Sequence, residues 1–140
     1  MRHDGLWHPR LLEILASAGH TDLIVVCDAG LPAPPGVEVV HLAWRSGEPA
    51  FLPVLRQVLA EFVVEHAIVA EELSDATIAD GVAGLLPAQR IGRVGHEEFK
   101  RITRTARAIV RTGEVTPYAN IILQAGVPYG PAAPEPFPLT

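Results

Sequence analysis

Hydrophobic positions along this chain follow two alternating patterns. Short, continuous runs rich in Val, Ile and Leu predict strands that are covered on both faces. Longer stretches with an apolar residue every three or four positions predict amphipathic helices. The predicted strands are residues 23–27, 37–42, 65–70, 89–94 and 119–123. The predicted helices are residues 49–62, 75–86 and 97–111, after a first helix that starts near Pro9 and ends before Gly19.

Three residues are expected to mark the ends of these helices. Gly19 follows the first helix, at a position where a left-handed cap favours glycine. Ser74 is placed to cap the helix over 75–86. The clearest helical periodicity runs over 97–111, and Gly113 is expected to end that helix.

The alternation of helices with buried strands predicts the fold class, a single α/β domain with a largely parallel sheet flanked by helices. We assign residues 1–127 to this domain. Residues 128–140 are interpreted as a Pro-rich C-terminal tail, because five prolines there prevent regular structure. The sequence leaves open whether this tail is mobile or straps a neighbouring subunit.

Composition narrows the class of protein. A chain of 140 residues, 49% of them hydrophobic, is typical of one compact domain with a buried core. The net charge of −5 and the lack of a basic patch argue against nucleic-acid binding. The single cysteine, Cys27, fits a reducing compartment. No signal peptide or membrane span is evident, so we expect a soluble cytoplasmic protein with no membrane partner.

The common cofactor and metal motifs are missing from the sequence. No Gly-rich nucleotide loop follows a predicted strand, and no Cys/His spacing indicates a metal site. No Gly-x-Ser-x-Gly turn indicates a hydrolase. We therefore expect a function that uses no cofactor and no metal.

Polar side chains follow or precede several of the predicted strands. Asp28 ends an apolar strand, where open α/β sheets bind their ligands, although an aspartate that only orders the following turn is the alternative. Tyr118 and Asn120 lie two apart at the start of the last strand, so both are expected on one face. A hydroxyl and an amide on one face suit a polyhydroxylated ligand, and a pair of turn residues is the alternative.

Two histidines and one lysine are further candidates. His96 opens a helix whose positive end disfavours a protonated ring, and Lys100, the only lysine, lies one turn later on the same face. His20 follows the first helix, whose dipole favours the protonated ring. The two histidines are thus suited to act as a base and an acid. Helix capping is the alternative for both, and a solvated side chain is the alternative for Lys100.

Six short strings occur together in one order, and with them the chain resembles the D-ribose pyranase family over residues 19–127. The strings are Gly-His-Thr-Asp from residue 19, Cys-Asp-Ala-Gly-Leu-Pro from residue 27, Ala-Glu-Glu from residue 70, His-Glu-Glu-Phe-Lys from residue 96, Arg-Thr-Gly-Glu from residue 111, and Pro-Tyr-Ala-Asn-Ile-Ile-Leu from residue 117. The related L-fucose mutarotases share only the Gly-His and Tyr-x-Asn parts. The Ala29-Gly30-Leu31 turn and Ala119 favour the ribose side of this relationship.

The resemblance implies a cofactor-free isomerase that interconverts the pyranose and furanose forms of a monosaccharide, with D-ribose favoured. It also implies a cytoplasmic homo-oligomer, a pentamer or decamer. His20 would be the catalytic proton donor. The substrate-binding residues implied are Asp28, His96, Lys100, Tyr118 and Asn120. Two alternatives stay open, a mutarotase for L-fucose or another monosaccharide and a non-catalytic sugar-binding protein.

The positions of His20 and Asp28 add a geometric expectation. His20 precedes the first predicted strand and Asp28 ends it. A strand of five or six residues would hold them roughly 15–20 Å apart. Within one chain they cannot share a sugar, so we expect an active site formed between two subunits.

Overall fold

The computed structural model describes residues 1–131 and 133–134. Its helices are α1 (Pro9–Ser17), α2 (Phe51–Glu61), α3 (Ala76–Leu85) and α4 (His96–Thr103), with a short 3₁₀ helix at Ala88–Arg90. Its strands are β1 (Leu23–Cys27), β2 (Glu38–His41), β3 (Val64–Ala70), β4 (Ile91–Val94), β5 (Ala108–Arg111) and β6 (Ile121–Ala125). None of the described helices combines the length and the apolar character needed to span a bilayer.

The strands form one six-stranded sheet in the order β2-β5-β1-β6-β3-β4. β5 runs parallel to both β1 and β2, and β3 runs parallel to β4. β6 lies between β1 and β3 and runs antiparallel to both. All the other strands therefore point in one direction and β6 in the opposite one. This topology confirms the predicted α/β fold with a largely parallel sheet.

The sheet is covered on both faces, as the continuous apolar runs predict. In β1, Ile24 and Val26 face the layer of α1, α2 and α3, while Val25 and Cys27 face the layer of α4. All four side chains are fully buried. Phe99 of α4 is the large side chain that fills the second layer. Burial raises the pKa of the Cys27 thiol to about 12.

The predicted helix over 97–111 is wrong in its second half. α4 ends at Thr103, where the Thr103 hydroxyl donates to the Lys100 carbonyl at 2.5 Å. Residues 108–111 form β5, which pairs with β1 and β2 and is buried on both faces. A short apolar run of this kind is compatible with either a buried strand or a helix. Pairing with β1 and β2 makes these residues a strand.

Three end-of-element predictions also need correction. Asp75, rather than Ser74, caps α3 by accepting from the Ile78 N–H at 3.0 Å. The left-handed residue after α1 is Thr21, with φ of 73°, and not Gly19. The last strand starts at Ile121, two residues later than predicted. The division at residue 127 stays a prediction, and residues 132 and 135–140 of the tail lie outside the described residues.

Gly113 does not end a helix but lets the chain pass close to the segment before α2. Its N–H donates to the Pro49 carbonyl at 2.8 Å, and its own carbonyl accepts from Gly47 at 2.7 Å. A Cβ atom at residue 113 would lie 2.6 Å from the backbone N and O of Glu48. Because backbone atoms cannot swing away like a flexible side chain, this contact requires glycine.

We predict that Gly113→Ala lowers the free energy of unfolding by about 1–3 kcal/mol, the usual cost of overpacking. Gly84→Ala is the matched control, because a Cβ there meets nothing within 4 Å and alanine favours the helical backbone of α3. Urea denaturation of both variants checks this prediction. Unfolding of Gly113→Ala at the wild-type urea midpoint would contradict it.

Candidate functional site

The topology brings several strand ends together at one edge of the sheet. The carboxyl ends of β1 and β4 and the amino end of β6 lie at this edge, because β6 runs opposite to its neighbours. A cavity of about 410 Å³ opens there. Four of the predicted site residues line it, namely Asp28, His96, Tyr118 and Asn120. Its size falls in the range of small-molecule sites.

Asp28 and Asn120 form one wall of this cavity. The Asp28 Oδ1 accepts from the N–H groups of Gly30 at 3.0 Å and Leu31 at 2.9 Å, so the aspartate does order the turn that follows β1. The Asp28 N–H donates to the Asn120 Oδ1 at 2.8 Å. Asn120 is 2% exposed. Since its side-chain oxygen is already bonded, the amide NH₂ is the group of Asn120 that suits a ligand oxygen.

Tyr118 lies in a strained turn before β6. Its φ is 62°, in the left-handed region that non-glycine residues adopt at a cost. Because Tyr118 and Asn120 precede β6, the alternation of side chains along a strand does not apply to them. The turn nevertheless places both at the same cavity, where the Tyr118 ring meets the His96 ring edge-on with centroids 5.0 Å apart.

His96 is the first residue of α4, and Glu72 fixes its backbone. Both carboxylate oxygens of Glu72 accept from the His96 N–H, at 3.0 and 2.9 Å. The His96 ring lies between the rings of Tyr118 and Phe99, and the centroids of the His96 and Phe99 rings are 6.4 Å apart. Its Nδ1 is buried and has no hydrogen-bond partner among the described residues. His96 thus presents a rigidly held ring at the cavity.

Lys100 does not line this cavity. Its Nζ pairs with the Glu97 carboxylate at 2.9 Å, and its side chain lines an adjoining groove formed with the Pro32–Pro35 segment. The i, i+4 spacing from His96 is therefore correct as helix geometry, but the ammonium is directed to Glu97. A direct role for Lys100 in sugar binding stays a prediction.

His20 lies at the opposite edge of the sheet. The neighbouring Thr21 donates to the carbonyl of Ala125, the last residue of β6. β1 has five residues and so separates His20 from Asp28 by about 16 Å. The structure therefore keeps the two residues apart within one chain, as the sequence predicts.

Two further side chains hold His20 in place. The His20 Nε2 lies 2.9 Å from Oε2 of Glu65, and Oε1 of Glu65 accepts from the Gln124 side chain at 2.6 Å. Desolvation raises the pKa of Glu65, but the hydrogen bonds from His20 and Gln124 and nearby positive charge outweigh it, so the net pKa is lowered. The carboxylate of Glu65 is therefore ionised at neutral pH.

Glu114 also lines the cavity, although the sequence does not mark it as a site residue. Glu114 follows β5, accepts from the Phe51 N–H at 3.0 Å and caps α2, whose own N-cap residue makes no side-chain bond. Its other oxygen accepts from the Thr116 hydroxyl at 2.9 Å. Its local signals are its place in the Arg-Thr-Gly-Glu string and its position three residues after β5, a strand that the sequence predicts as helix.

Within residues 1–131 and 133–134, no group of three or more His, Cys, Asp or Glu side chains is arranged to hold a metal ion. The cavity instead offers hydrogen-bonding groups of mixed character. Asp28 supplies acceptors, Asn120 supplies donors, and Tyr118 and His96 can supply either. Such a set suits a neutral ligand with several hydroxyl groups.

Nearly the whole chain is similar to known proteins. The model of the RbsD / FucU transport protein family matches residues 1–128. A D-ribose pyranase from Laribacter hongkongensis is 47% identical over 129 residues, 91% of this chain and 98% of that protein. The structure of Bacillus subtilis RbsD complexed with D-ribose has a TM-score of 0.87 at 45% identity, covering 92% of this chain and 100% of that one. A fucose mutarotase in complex with L-fucose, from Streptococcus pneumoniae, has a TM-score of 0.72 at 26% identity, covering 86% and 93%.

Glu114 provides a test of how the cavity is supported. Desolvation raises its pKa, but hydrogen bonds from Phe51, Thr116 and Val115 outweigh this, so the net pKa lies below the ordinary 4.5. A lowered pKa means that the carboxylate stabilises the fold above about pH 4.5 and that this contribution is lost as the pH falls through the folded-state value.

We expect Glu114→Gln to lower the free energy of unfolding by about 0.3–1 kcal/mol at neutral pH, because the amide keeps one accepting oxygen but loses the negative charge at the start of α2. The difference from wild type should shrink as the pH falls well below 4.5. Urea titrations at both pH values measure it. Glu13→Gln, which changes an exposed carboxylate on α1, is the control. A difference that is independent of pH would contradict this account of Glu114.

Proposed function

The chain belongs to the RbsD / FucU transport protein family, and we propose that it is an isomerase that interconverts the pyranose and furanose forms of D-ribose. One observation carries this proposal. The cavity that gathers Asp28, His96, Tyr118 and Asn120 lies in a fold that matches, at 45% identity, a protein solved with D-ribose bound. The D-ribose pyranases that match the chain at 44–50% identity support the same activity.

The reaction requires only proton transfers. A proton leaves the anomeric hydroxyl while another reaches the ring oxygen, which opens the hemiacetal to the aldehyde. A different hydroxyl then attacks the aldehyde carbon and closes the other ring size. Positioned acid–base groups typically contribute 10²–10⁴-fold, or roughly 3–5 kcal/mol, to such steps. Side chains of the types found here can perform this chemistry without a cofactor.

The proposed roles follow from the hydrogen-bonding capacity of each side chain. Asp28 and Asn120 bind sugar hydroxyls, one as acceptor and the other as donor. Tyr118 donates or accepts through its hydroxyl, and the His96 ring, which lines the cavity, binds a further sugar hydroxyl. His20 is the proton donor, as the resemblance to the family implies. We keep Lys100 as a neighbour that contributes from the adjoining groove.

His20 can reach the sugar only from another subunit. Within one chain it lies about 16 Å from Asp28, at the other edge of the sheet. Its side chain is 54% exposed, so the ring is accessible to a neighbouring molecule. We therefore propose a homo-oligomer, a pentamer or decamer, in which each site combines His20 of one chain with the cavity of the next. We also propose a cytoplasmic location, which suits the buried, unpaired thiol of Cys27.

A mutarotase acting on L-fucose is the second candidate, supported by the likeness to the fucose mutarotase complex. The identity there is 26%, against 45% for the ribose-bound relative. D-ribose is for this reason the favoured substrate. A non-catalytic sugar-binding protein is the third possibility that the experiment below distinguishes.

We expect the wild-type protein to accelerate pyranose–furanose exchange of D-ribose, measured by NMR saturation transfer. His20→Ala should reduce this acceleration by about 10²–10⁴-fold, the share of one acid–base group. His3→Ala, at an exposed histidine near the start of the chain, should leave the rate unchanged.

Other outcomes would support one of the two alternative functions. Acceleration of L-fucose anomer exchange alone would contradict D-ribose as the substrate and favour the mutarotase. Binding of ribose without any acceleration by the folded protein would favour the sugar-binding protein and overturn the catalytic proposal.

A further inference from the structure

We propose that Glu65 is a positioning residue for His20, holding the ring so that Nδ1 is the atom that exchanges a proton with the sugar. This inference rests on the proposed function, in which His20 is the proton donor. It concerns a residue of β3 that lies far from the cavity and that the sequence analysis did not single out.

The contact between the two side chains determines where the ring carries its proton. The His20 Nε2 lies 2.9 Å from the Glu65 Oε2. An ionised carboxylate can only accept hydrogen bonds, so the Nε2 that faces it carries the hydrogen. A neutral imidazole has one N–H group, which leaves the lone pair on Nδ1. When the ring is protonated, the additional hydrogen lies on Nδ1, the nitrogen that Glu65 does not occupy.

Glu65 is itself held from two sides. Its Oε1 accepts from the Gln124 side chain at 2.6 Å, and Gln124 belongs to β6, which pairs with both β1 and β3. Gly126 packs against it, because a Cβ atom at residue 126 would lie 3.1 Å from the Glu65 Cβ and 3.5 Å from its Oε2. The sheet therefore fixes the carboxylate before any sugar binds.

Glu65 and His20 differ in how far their side chains are exposed. The Glu65 side chain is 26% exposed and the His20 side chain 54% exposed. The carboxylate thus lies on the inner side and the ring on the outer side. This arrangement resembles that of other acid–histidine pairs in enzymes, where the acid fixes the tautomer and orientation of the ring and does not react itself.

The loop that carries His20 is also fixed. The Asp22 Oδ2 accepts from the Gly19 N–H at 2.8 Å, and Arg107 lies 3.6 Å from the same oxygen. Thr21 is bonded to β6 through the Ala125 carbonyl at 2.8 Å. The charged and titratable groups around the pair are Asp22 and Arg107 on the side of the loop, and His66 on β3. Glu65 is the one that contacts the His20 ring.

The test combines ¹⁵N NMR of the histidine rings with ring-exchange kinetics on the full chain. His20→Ala identifies the His20 signal among the six histidines. In wild type, neutral His20 should be the Nε2–H tautomer. In Glu65→Ala this preference should be lost, and kcat for ribose exchange should fall about 10- to 100-fold, part of the effect of an acid–base group. KM should change little, because Glu65 does not line the cavity.

Two further variants sharpen the result. Glu38→Ala is the matched control. It removes a carboxylate of the edge strand β2 that pairs with Arg10 of α1, and it should leave the His20 tautomer and kcat as in wild type. Glu65→Gln keeps an oxygen that can accept from Nε2, so its loss of kcat should be smaller than that of Glu65→Ala. If Glu65→Ala does not fold, Glu65→Gln tests the proposal in its place. A lowered kcat at unchanged KM would then support a positioning role for Glu65.

A Glu65→Ala variant with the wild-type tautomer and kcat would overturn the role of Glu65. Equal losses in Glu65→Ala and Glu38→Ala would overturn it as well, because the effect would not be specific to His20. A wild-type protein that accelerates no sugar exchange would overturn the proposed function. In that case the tautomer measurement still decides whether Glu65 positions the ring.

Discussion

The pairing of β6 with β1 and β3 is the interaction on which the rest of the structure depends. β6 is antiparallel to both neighbours, so its amino end lies beside their carboxyl ends and its carboxyl end beside their amino ends. At the first edge, Asn120 binds the backbone of Asp28. At the second, Gln124 binds Glu65, which holds His20. A single strand therefore supports both groups of side chains in the proposed site.

This arrangement explains why one chain carries two separate halves of a proposed site. The cavity supplies binding groups, and the opposite edge supplies an exposed histidine on a rigid support. The rigidity of the sheet keeps these halves apart, since β1 spans the distance between them. In the proposed homo-oligomer, activity depends on assembly, because a neighbouring chain completes each proposed site.

The sequence predicts much of the fold and of the cavity, for physical reasons. Buried strands such as β1 and β3 are continuous apolar runs, and polar residues at strand ends collect at one edge of a largely parallel sheet. β5 was mistaken for helix because its four residues have no periodicity that separates a strand from a helix. Long-range pairing with β1 and β2 fixes it as a strand.

The supporting residues were harder to predict, because their partners are distant in sequence. Glu65 contacts His20 across 45 positions and Gln124 across 59. Glu114 caps α2 from 63 positions away. For Lys100 the helical spacing from His96 is correct, and the local pairing with Glu97 directs its ammonium to that carboxylate. Local patterns report the secondary structure, whereas these contacts depend on topology.

The central claim is that His20 and Asp28 act together across two subunits. Mixing a His20→Ala variant with an Asp28→Asn variant, each inactive alone, tests this claim most directly. In mixed oligomers, some sites combine an intact His20 with an intact Asp28, so ribose ring exchange should return on mixing. No recovery, with mass spectrometry confirming that mixed oligomers have formed, would contradict the shared site.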